Sequence, residues 1–386
     1  MKLGIVANEF FSRDVGRMGG FGWAARQVAE TFKRRPQLGV SVVFLAANLK
    51  GHANASHTRV HDTPLLFAGR GEAYRARIRA QQLDLILTID YRPSYRRILE
   101  ILSSTPAIVW GRDPQPAAVT AQIATLRLPH DGVVQPQGIK PIDCASISHF
   151  ISAEVQQRRP VLFATPAPTL SEFLRQAYGI PDADIAFLPN IVDLKVRQVN
   201  KSELPRVVFL GRLDPIKRPW LLVELARMFP AIEFLMLGQS HFRGSGSWSA
   251  GELPENVRIL GHVDGEGKLK ILTSAWVLVN TSIHESLATS FLEALACETP
   301  LLSCNNAEEI ASRFGVFTGW CDGDGTSGIH AFANGLKELI VNKEKRTRLG
   351  REGRQWVEQT HSASAFLEAF NQLCARAGVS RQSVMN

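Results

Sequence analysis

Cysteine is scarce in this chain, and its count is odd. Cys144, Cys297, Cys304, Cys321 and Cys374 are spread over 386 residues with no Cys-x-x-Cys pair. This excludes a disulfide framework and a thiolate zinc site, and buried thiols in a reducing compartment are expected. Long apolar runs are missing as well, with nothing near the roughly 20 residues that span a bilayer. The N-terminus lacks a secretory leader pattern, since only a few apolar residues follow Lys2 before Asn8 and Glu9. A cytoplasmic location is therefore expected. The densest basic sets are Arg75, Arg77 and Arg79, then Arg92, Arg96 and Arg97. No aromatic stacking platform interleaves them, so nucleic acid is not the expected partner. Acidic residues are in deficit, 36 against 44 basic, for a net charge of +8. That balance suits solubility and anionic small ligands, and a peripheral contact with anionic lipid at a membrane surface is the sharper reading.

What is present is the alternation of an α/β protein. A chain of 386 residues with 45% hydrophobic and 21% charged content fits two domains with sizeable cores. Residues Leu3 to Ala7, Val40 to Ala46, Leu83 to Ile89 and Ala107 to Trp110 read as buried strands separated by helical patterns. That order implies a parallel sheet. A second series begins at Arg206, with strands at Val207 to Leu210, Ile232 to Leu237, Val257 to Leu260, Trp276 to Val279 and Leu301 to Ser303. The polar, aperiodic stretch from Leu194 to Glu203 is the linker candidate. Residues Pro114 to Gly138 have little period and read as an irregular excursion over the first domain. The helices Lys343 to Gln359 and Ser364 to Ala377 carry apolar residues at helical spacing.

The richest segment runs from Trp276 to Cys297. An apolar strand is followed by the small polar residues of Thr281 to Ala288 and then by a helix from Ser290, with Thr289 or Ser286 available as its cap. Glu285 falls on the turn and Glu293 one turn into the helix. In parallel α/β sheets ligands bind at such strand-to-helix crevices, and a helix N-terminus there attracts phosphate. Elsewhere, Gly211, Arg212 and Lys217 follow the strand Val207 to Leu210, Phe187-Leu188-Pro189-Asn190-Ile191-Val192-Asp193 precedes the linker, and Gly261-His262-Val263 follows another strand. Together these segments resemble the retaining, nucleotide-sugar-dependent glycosyltransferases of family 4 (glycosyl transferases group 1), with their E-x7-E signature. The resemblance covers roughly residues 160 to 375 well and the first half in outline.

The resemblance implies a GT-B fold: two Rossmann-like, doubly wound parallel-sheet domains facing across a cleft. The expected domains are 1–195 on the acceptor side and 204–362 for the nucleotide sugar, with 363–386 as a helix crossing back to the first. The implied reaction moves a sugar from a nucleotide sugar, a UDP-sugar being the expected donor, to a hydroxyl acceptor with retention. Arg212 and Lys217 would stabilise the leaving diphosphate, and Glu285 would hold hydroxyls of the donor sugar. These three form the expected catalytic set. Glu293 would hold the ribose, and Gly211, Ser286, Leu287, Ala288, Thr289 and Val263 would complete the donor site. Where that family shows Gly-Phe-Gly after the first glutamate, this chain has Ser286, Leu287 and Ala288, so its sugar pocket should differ in detail. No cofactor is expected, the nucleotide sugar being a co-substrate, and no metal.

The glycine-rich run from Gly16 to Ala25 contains Gly20-x-Gly22-x-x-Ala25, formally a dinucleotide fingerprint. Its glycines come well after the first strand, and no acidic residue ends the second strand near Ala46 to Asn48, so that reading is weak. By resemblance, Gly19 and Gly20 would instead approach the donor phosphates. For the acceptor, many members carry a histidine after the fourth strand, but this chain has Arg112 and Asp113 there. These two, with Asp90, Tyr91 and Arg92 at the end of the preceding strand, are the acceptor candidates. His241, His262 and His284 stay unplaced. The alternatives are a GT-B nucleotide-sugar epimerase, an NAD-dependent dehydrogenase and a catalytically silent sugar-nucleotide binder.

Overall fold

The computed structural model describes residues 1–12, 15, 18–47, 58–129, 132–133, 159–192, 195–196, 198–240 and 247–379. Gly16, Arg17, Asn48, Cys144, Asp193, Leu194, Arg197, His241, residues 130–131 and 134–138 of the irregular stretch, and residues 380–386 lie outside the described residues. The chain divides into two compact units. The first comprises Met1–Pro116, Ile142–Asp193 and Ser362–Asn386, and the second Ala117–Pro141 and Leu194–His361.

The strands in chain order are β1 (Lys2–Ala7), β2 (Ser41–Ala46), β3 (Thr58–Val60), β4 (Thr63–Leu66), β5 (Leu85–Ile89), β6 (Ala107–Trp110), β7 (Arg127–Leu128), β8 (Gly132–Val133), β9 (Val161–Thr165) and β10 (Ile185–Phe187). All but β7 and β8 build the first unit's sheet, in the order β10-β9-β6-β5-β1-β2-β4-β3. Every pairing in it is parallel except the β3–β4 hairpin. Leu3 to Ala7 and Leu85 to Ile89 are buried throughout, as strands covered on both faces must be. The order reverses between β1 and β5, which places the chain segments after Ala7 and Ile89 side by side.

The helix Ala363–Arg376 belongs to this unit, after the whole second unit has intervened in sequence. The Ser362 hydroxyl accepts from the Ala365 amide at 3.2 Å and caps its N-terminus. Phe366, Phe370 and Leu373, at helical spacing, are buried in the first unit's core. Phe366 stands 5.8 Å from Trp110, and Phe370 stands 5.5 Å from Phe32, centroid to centroid.

The second unit's sheet comprises β11 (Arg206–Leu210), β12 (Glu233–Leu237), β13 (Val257–Gly261), β14 (Val277–Asn280), β15 (Leu301–Ser303) and β16 (Gly315–Phe317). Their order is β13-β12-β11-β14-β15-β16, all parallel. The order reverses between β11 and β14, so the loops after Leu210 and Asn280 meet at the switch point. Glycine is required beside it. Gly238, after β12, has φ +157°, and a Cβ there would lie 1.7 Å from the Gly211 carbonyl oxygen.

Residues 117–128 pack with the second unit rather than with the first, where the excursion was expected. Leu126 is buried in a small cluster with Trp220, Leu221 and Ile283, and the Thr125 hydroxyl accepts from the Gly323 amide at 3.0 Å. Apolar anchors this far apart in sequence are invisible to local periodicity.

Candidate functional site

The loop after β11 is short and tightly bonded. Pro215–Lys217 forms one 3-10 turn, Arg218 takes a left-handed conformation with φ 45°, and Pro219 then opens the helix Pro219–Met228. Proline at N1 suits a helix start, because its missing N–H has no intrahelical acceptor. The loop after β14 is stitched to it twice over. The Thr281 hydroxyl donates to the Lys217 and Arg218 carbonyls at 2.8 and 3.0 Å. In return the Arg218 guanidinium donates to the Thr281 and Ser282 carbonyls at 2.7 and 3.1 Å, and the Ile283 amide bonds the Ile216 carbonyl at 3.0 Å.

That scaffold holds Lys217 against Glu285. Three side-chain donors converge on Glu285 Oε1: Lys217 Nζ at 2.6 Å, Ser282 Oγ at 2.6 Å and Asn280 Nδ2 at 2.9 Å. The Glu285 amide donates to Asn305 Oδ1 at 3.0 Å, from the loop after β15. Burial alone would raise the Glu285 carboxyl, but the Lys217 charge and the three hydrogen bonds outweigh it and hold the group below the ordinary carboxylate range. Among the described residues Oε2 takes no hydrogen bond.

Glu293 repeats the pattern on the next helix. It sits in Thr289–Ala296, whose N-cap is Ala288 with no side-chain cap. Neither Thr289 nor Ser286 caps it, since Thr289 is already the first helical residue. The Glu293 side chain is only 6% exposed and accepts from Lys268 Nζ at 2.8 Å through Oε1. Asp264 lies 3.4 Å from the same ammonium. Burial acts to lower the Lys268 ammonium, and the Glu293 and Asp264 charges more than offset it, so it is raised. Again Oε2 takes no hydrogen bond among the described residues. Both carboxylates thus have one oxygen neutralised by lysine and one left over.

Arg212, directly after Gly211, pairs with Asp214 at 3.1 Å and keeps 36% of its side chain exposed. Ser286, Leu287 and Ala288 are buried, while Thr289, Gly211 and Val263 are half-buried. Sequence reasoning missed Asn280, Ser282 and Asn305, which hold Glu285, and Lys268, which holds Glu293. Asn280 and Ser282 flank the motif and could have been read as its partners. Lys268 is brought in by tertiary packing alone.

In the first unit, Gly19 and Gly20 open the helix Gly20–Lys33, but a side chain already occupies its N-terminus. Glu9 Oε1 accepts from the Phe21 and Gly22 amides at 3.0 and 2.9 Å. A Cβ at Gly19 would lie 2.5 Å from that oxygen, and one at Gly22 would lie 2.4 Å from the Phe11 amide nitrogen. The glycines therefore admit the chain after β1 and give Glu9 the place an anion would take.

The acceptor candidates form one network at the ends of β5 and β6. Asp90, with φ 63°, pairs with Arg92 at 3.0 Å and accepts from the Tyr178 hydroxyl and the Arg112 amide, each at 3.2 Å. Burial pushes the Asp90 carboxyl above its ordinary range against the Arg92 charge, and burial lowers the Arg112 guanidinium to about 10. Arg112 lies over the Trp110 ring and donates to Asn190 Oδ1. Asp90, Tyr91 and Arg112 are buried, whereas Arg92 and Asp113 keep partial exposure.

Residues 192–356 match the family model Glycosyl transferases group 1. Over 181 residues the chain is 24% identical to the lipopolysaccharide core biosynthesis glycosyltransferase LpsE of Rhizobium meliloti, covering 45% of this chain and 51% of that protein. The aligned part thus spans about half the length of that relative. Among solved structures, a sucrose-phosphate synthase from Thermosynechococcus elongatus superposes with a TM-score of 0.73 at 18% identity, covering 97% of this chain and 98% of that one. HepE of Anabaena, solved in complex with UDP-glucose, superposes with a TM-score of 0.67 at 13% identity, covering 97% and 100%. The fold is GT-B, and the family match supports a glycosyltransferase. No helix among the described residues is long and apolar enough to cross a membrane.

Proposed function

We propose that the protein is a retaining glycosyltransferase that moves a sugar from a UDP-sugar to a hydroxyl acceptor. The observation that carries this reading is the pair of carboxylates at the second unit's switch point. Glu285 and Glu293 each have Oε1 held by a lysine, with Oε2 left to accept from hydroxyls. A hexose and a ribose offer vicinal hydroxyls as donors, and two fixed acceptors suit them. Lys217 and Arg212 are the cations for the leaving diphosphate. Arginine can bind it in bidentate fashion while lysine acts as a point charge, and both stabilise charge that develops as the glycosidic bond breaks. With these cations in place the reaction needs no metal, and the departing diphosphate oxygen takes the acceptor proton. The bound UDP-glucose of the HepE structure supports a uridine donor.

In the first unit this reading assigns the acceptor to Arg92 and Asp113, which keep partial exposure, because Asp90, Tyr91 and Arg112 are buried. Glu9 leaves no vacant amide pair at Phe21 and Gly22, so donor phosphate relies on the second unit's own cations. Thermal-shift and turnover measurements test the proposal. UDP and a UDP-sugar should raise the melting temperature, with ligand at ~100 times its dissociation constant adding about 2.7 kcal/mol. Release of UDP should require acceptor. An unchanged melting temperature with every nucleoside diphosphate would refute the donor site, and UDP release without acceptor would refute transfer.

A further inference from the structure

Arg218 is fully buried, yet among the described residues its hydrogen bonds include no carboxylate. Its acceptors are three carbonyls and two sulfurs. Nη1 donates to the Cys321 carbonyl at 2.7 Å, and Nη2 donates to Cys304 Sγ at 3.2 Å and Cys321 Sγ at 3.3 Å. Both sulfurs thus lie on one guanidinium nitrogen, and Cys304 Sγ also donates to the Ser282 carbonyl at 3.3 Å. Cys304 follows β15 and Cys321 follows its parallel neighbour β16, so adjacent strands deliver both to one point. Cys304 is buried, while Cys321 is half-buried. The neighbouring Cys304 thiol and the Arg218 charge, against burial, hold the Cys321 thiol below the ordinary range. Cys297 has the opposite setting: burial pushes its thiol up to about 12.

We propose that Cys321 and Cys304 are a peroxide-oxidised thiol pair whose disulfide loosens the loop that carries Lys217 and Glu285. The Cys321 thiolate attacks hydrogen peroxide, its sulfur gains one oxygen as sulfenic acid, and the released hydroxide takes a proton to become water. The Cys304 sulfur then attacks the sulfenyl sulfur, forming the S–S bond, and the second oxygen leaves as water with the Cys304 proton. Two thiols are oxidised by two electrons and one peroxide is reduced to two waters. The disulfide removes the anionic sulfur facing Arg218. That cation is the clamp on the Thr281 and Ser282 carbonyls, and Ser282 Oγ is one of the donors that hold Glu285. The chemistry at sulfur does not depend on the proposed transferase activity; only the ligand-binding consequence rests on it.

The test treats the full chain with micromolar hydrogen peroxide at pH 7, blocks remaining thiols and maps tryptic peptides. A cross-link should join residues 271–313 to residues 314–337, with Cys304 rather than Cys297 as the partner of Cys321, and dithiothreitol should reverse it. Cys321→Ser should abolish the cross-link, and Cys374→Ser should leave it intact. Amide exchange across Thr281–Ala288 should be faster in the oxidised protein, and UDP affinity should fall about tenfold. Absence of the cross-link, or over-oxidation of Cys321 without it, overturns the pairing. A cross-link with unchanged exchange overturns the coupling to the loop. If the cross-link and faster exchange occur but neither form binds UDP, this proposal stands and the donor-site proposal fails.

Discussion

The Lys217–Glu285 pair supports a double-mutant cycle with opposite signs for stability and for ligand binding. Glu285→Gln keeps the shape and an acceptor oxygen but removes the charge, and Lys217→Met removes the cation. The two side chains are 20% and 11% exposed, so the pair lies between an open surface bridge and a dry one. Exposed pairs contribute roughly 0.2–1 kcal/mol, and breaking a fully buried pair costs about 3–5. A hydrogen bond to a charged group contributes about 1.5–3 kcal/mol. A coupling energy of about 2 kcal/mol is therefore expected at pH 7 by urea denaturation, or roughly 4–8 °C in melting temperature for a unit of this size. The Glu285 carboxyl is depressed in the folded state, so its contribution is present above the unfolded pKa and is lost as pH falls through the folded one. The coupling should shrink accordingly below the ordinary carboxylate range. For binding, Glu285 competes with diphosphate for Lys217. Glu285→Gln should then bind UDP at least as tightly as the parent while turnover falls, and Lys217→Met should weaken UDP. A coupling under about 0.5 kcal/mol at pH 7, or Glu285→Gln losing UDP affinity to the same extent as Lys217→Met, would falsify the arrangement.

Glu293→Gln removes the carboxylate charge 2.8 Å from Lys268, which is 7% exposed, and leaves the longer Asp264 contact in place, so unfolding should become easier by about 1–3 kcal/mol and nucleoside and nucleotide binding should weaken together. A loss confined to nucleotides that carry a sugar would contradict its ribose role. Turnover should persist in excess EDTA; abolition by EDTA with rescue by Mn²⁺ would overturn the metal-free reading. Gly22→Ala should destabilise the first unit more than Gly19→Ala, because a Cβ at Gly22 meets the Phe11 backbone while one at Gly19 meets the movable Glu9 carboxylate. Thermal denaturation of the two variants should rank them in that order, and a reversed order would show that the Glu9 contact is the stiffer one.

The sequence by itself determined the architecture and singled out the charged residues on which the proposed site of the second unit is built. Runs such as Leu3 to Ala7 and Val207 to Leu210 are buried strands in any parallel sheet, because two covered faces demand apolar residues at every position. The strands at β9, β10 and β16 escaped because three to five apolar residues beside polar ones carry too little period. Glu285, Glu293, Arg212 and Lys217 stood out because their motifs are local, each lying within a few residues of a strand end. Only the tertiary structure decided what each touches. Lys268 reaches Glu293 across 25 residues, Cys321 reaches Arg218 across 103, and Glu9 fills a helix N-terminus that the glycines alone would have offered to phosphate. Charge pairing and burial depend on distance in space. A strand order that reverses between β11 and β14 brings together side chains whose separation along the chain carries no trace of the contact.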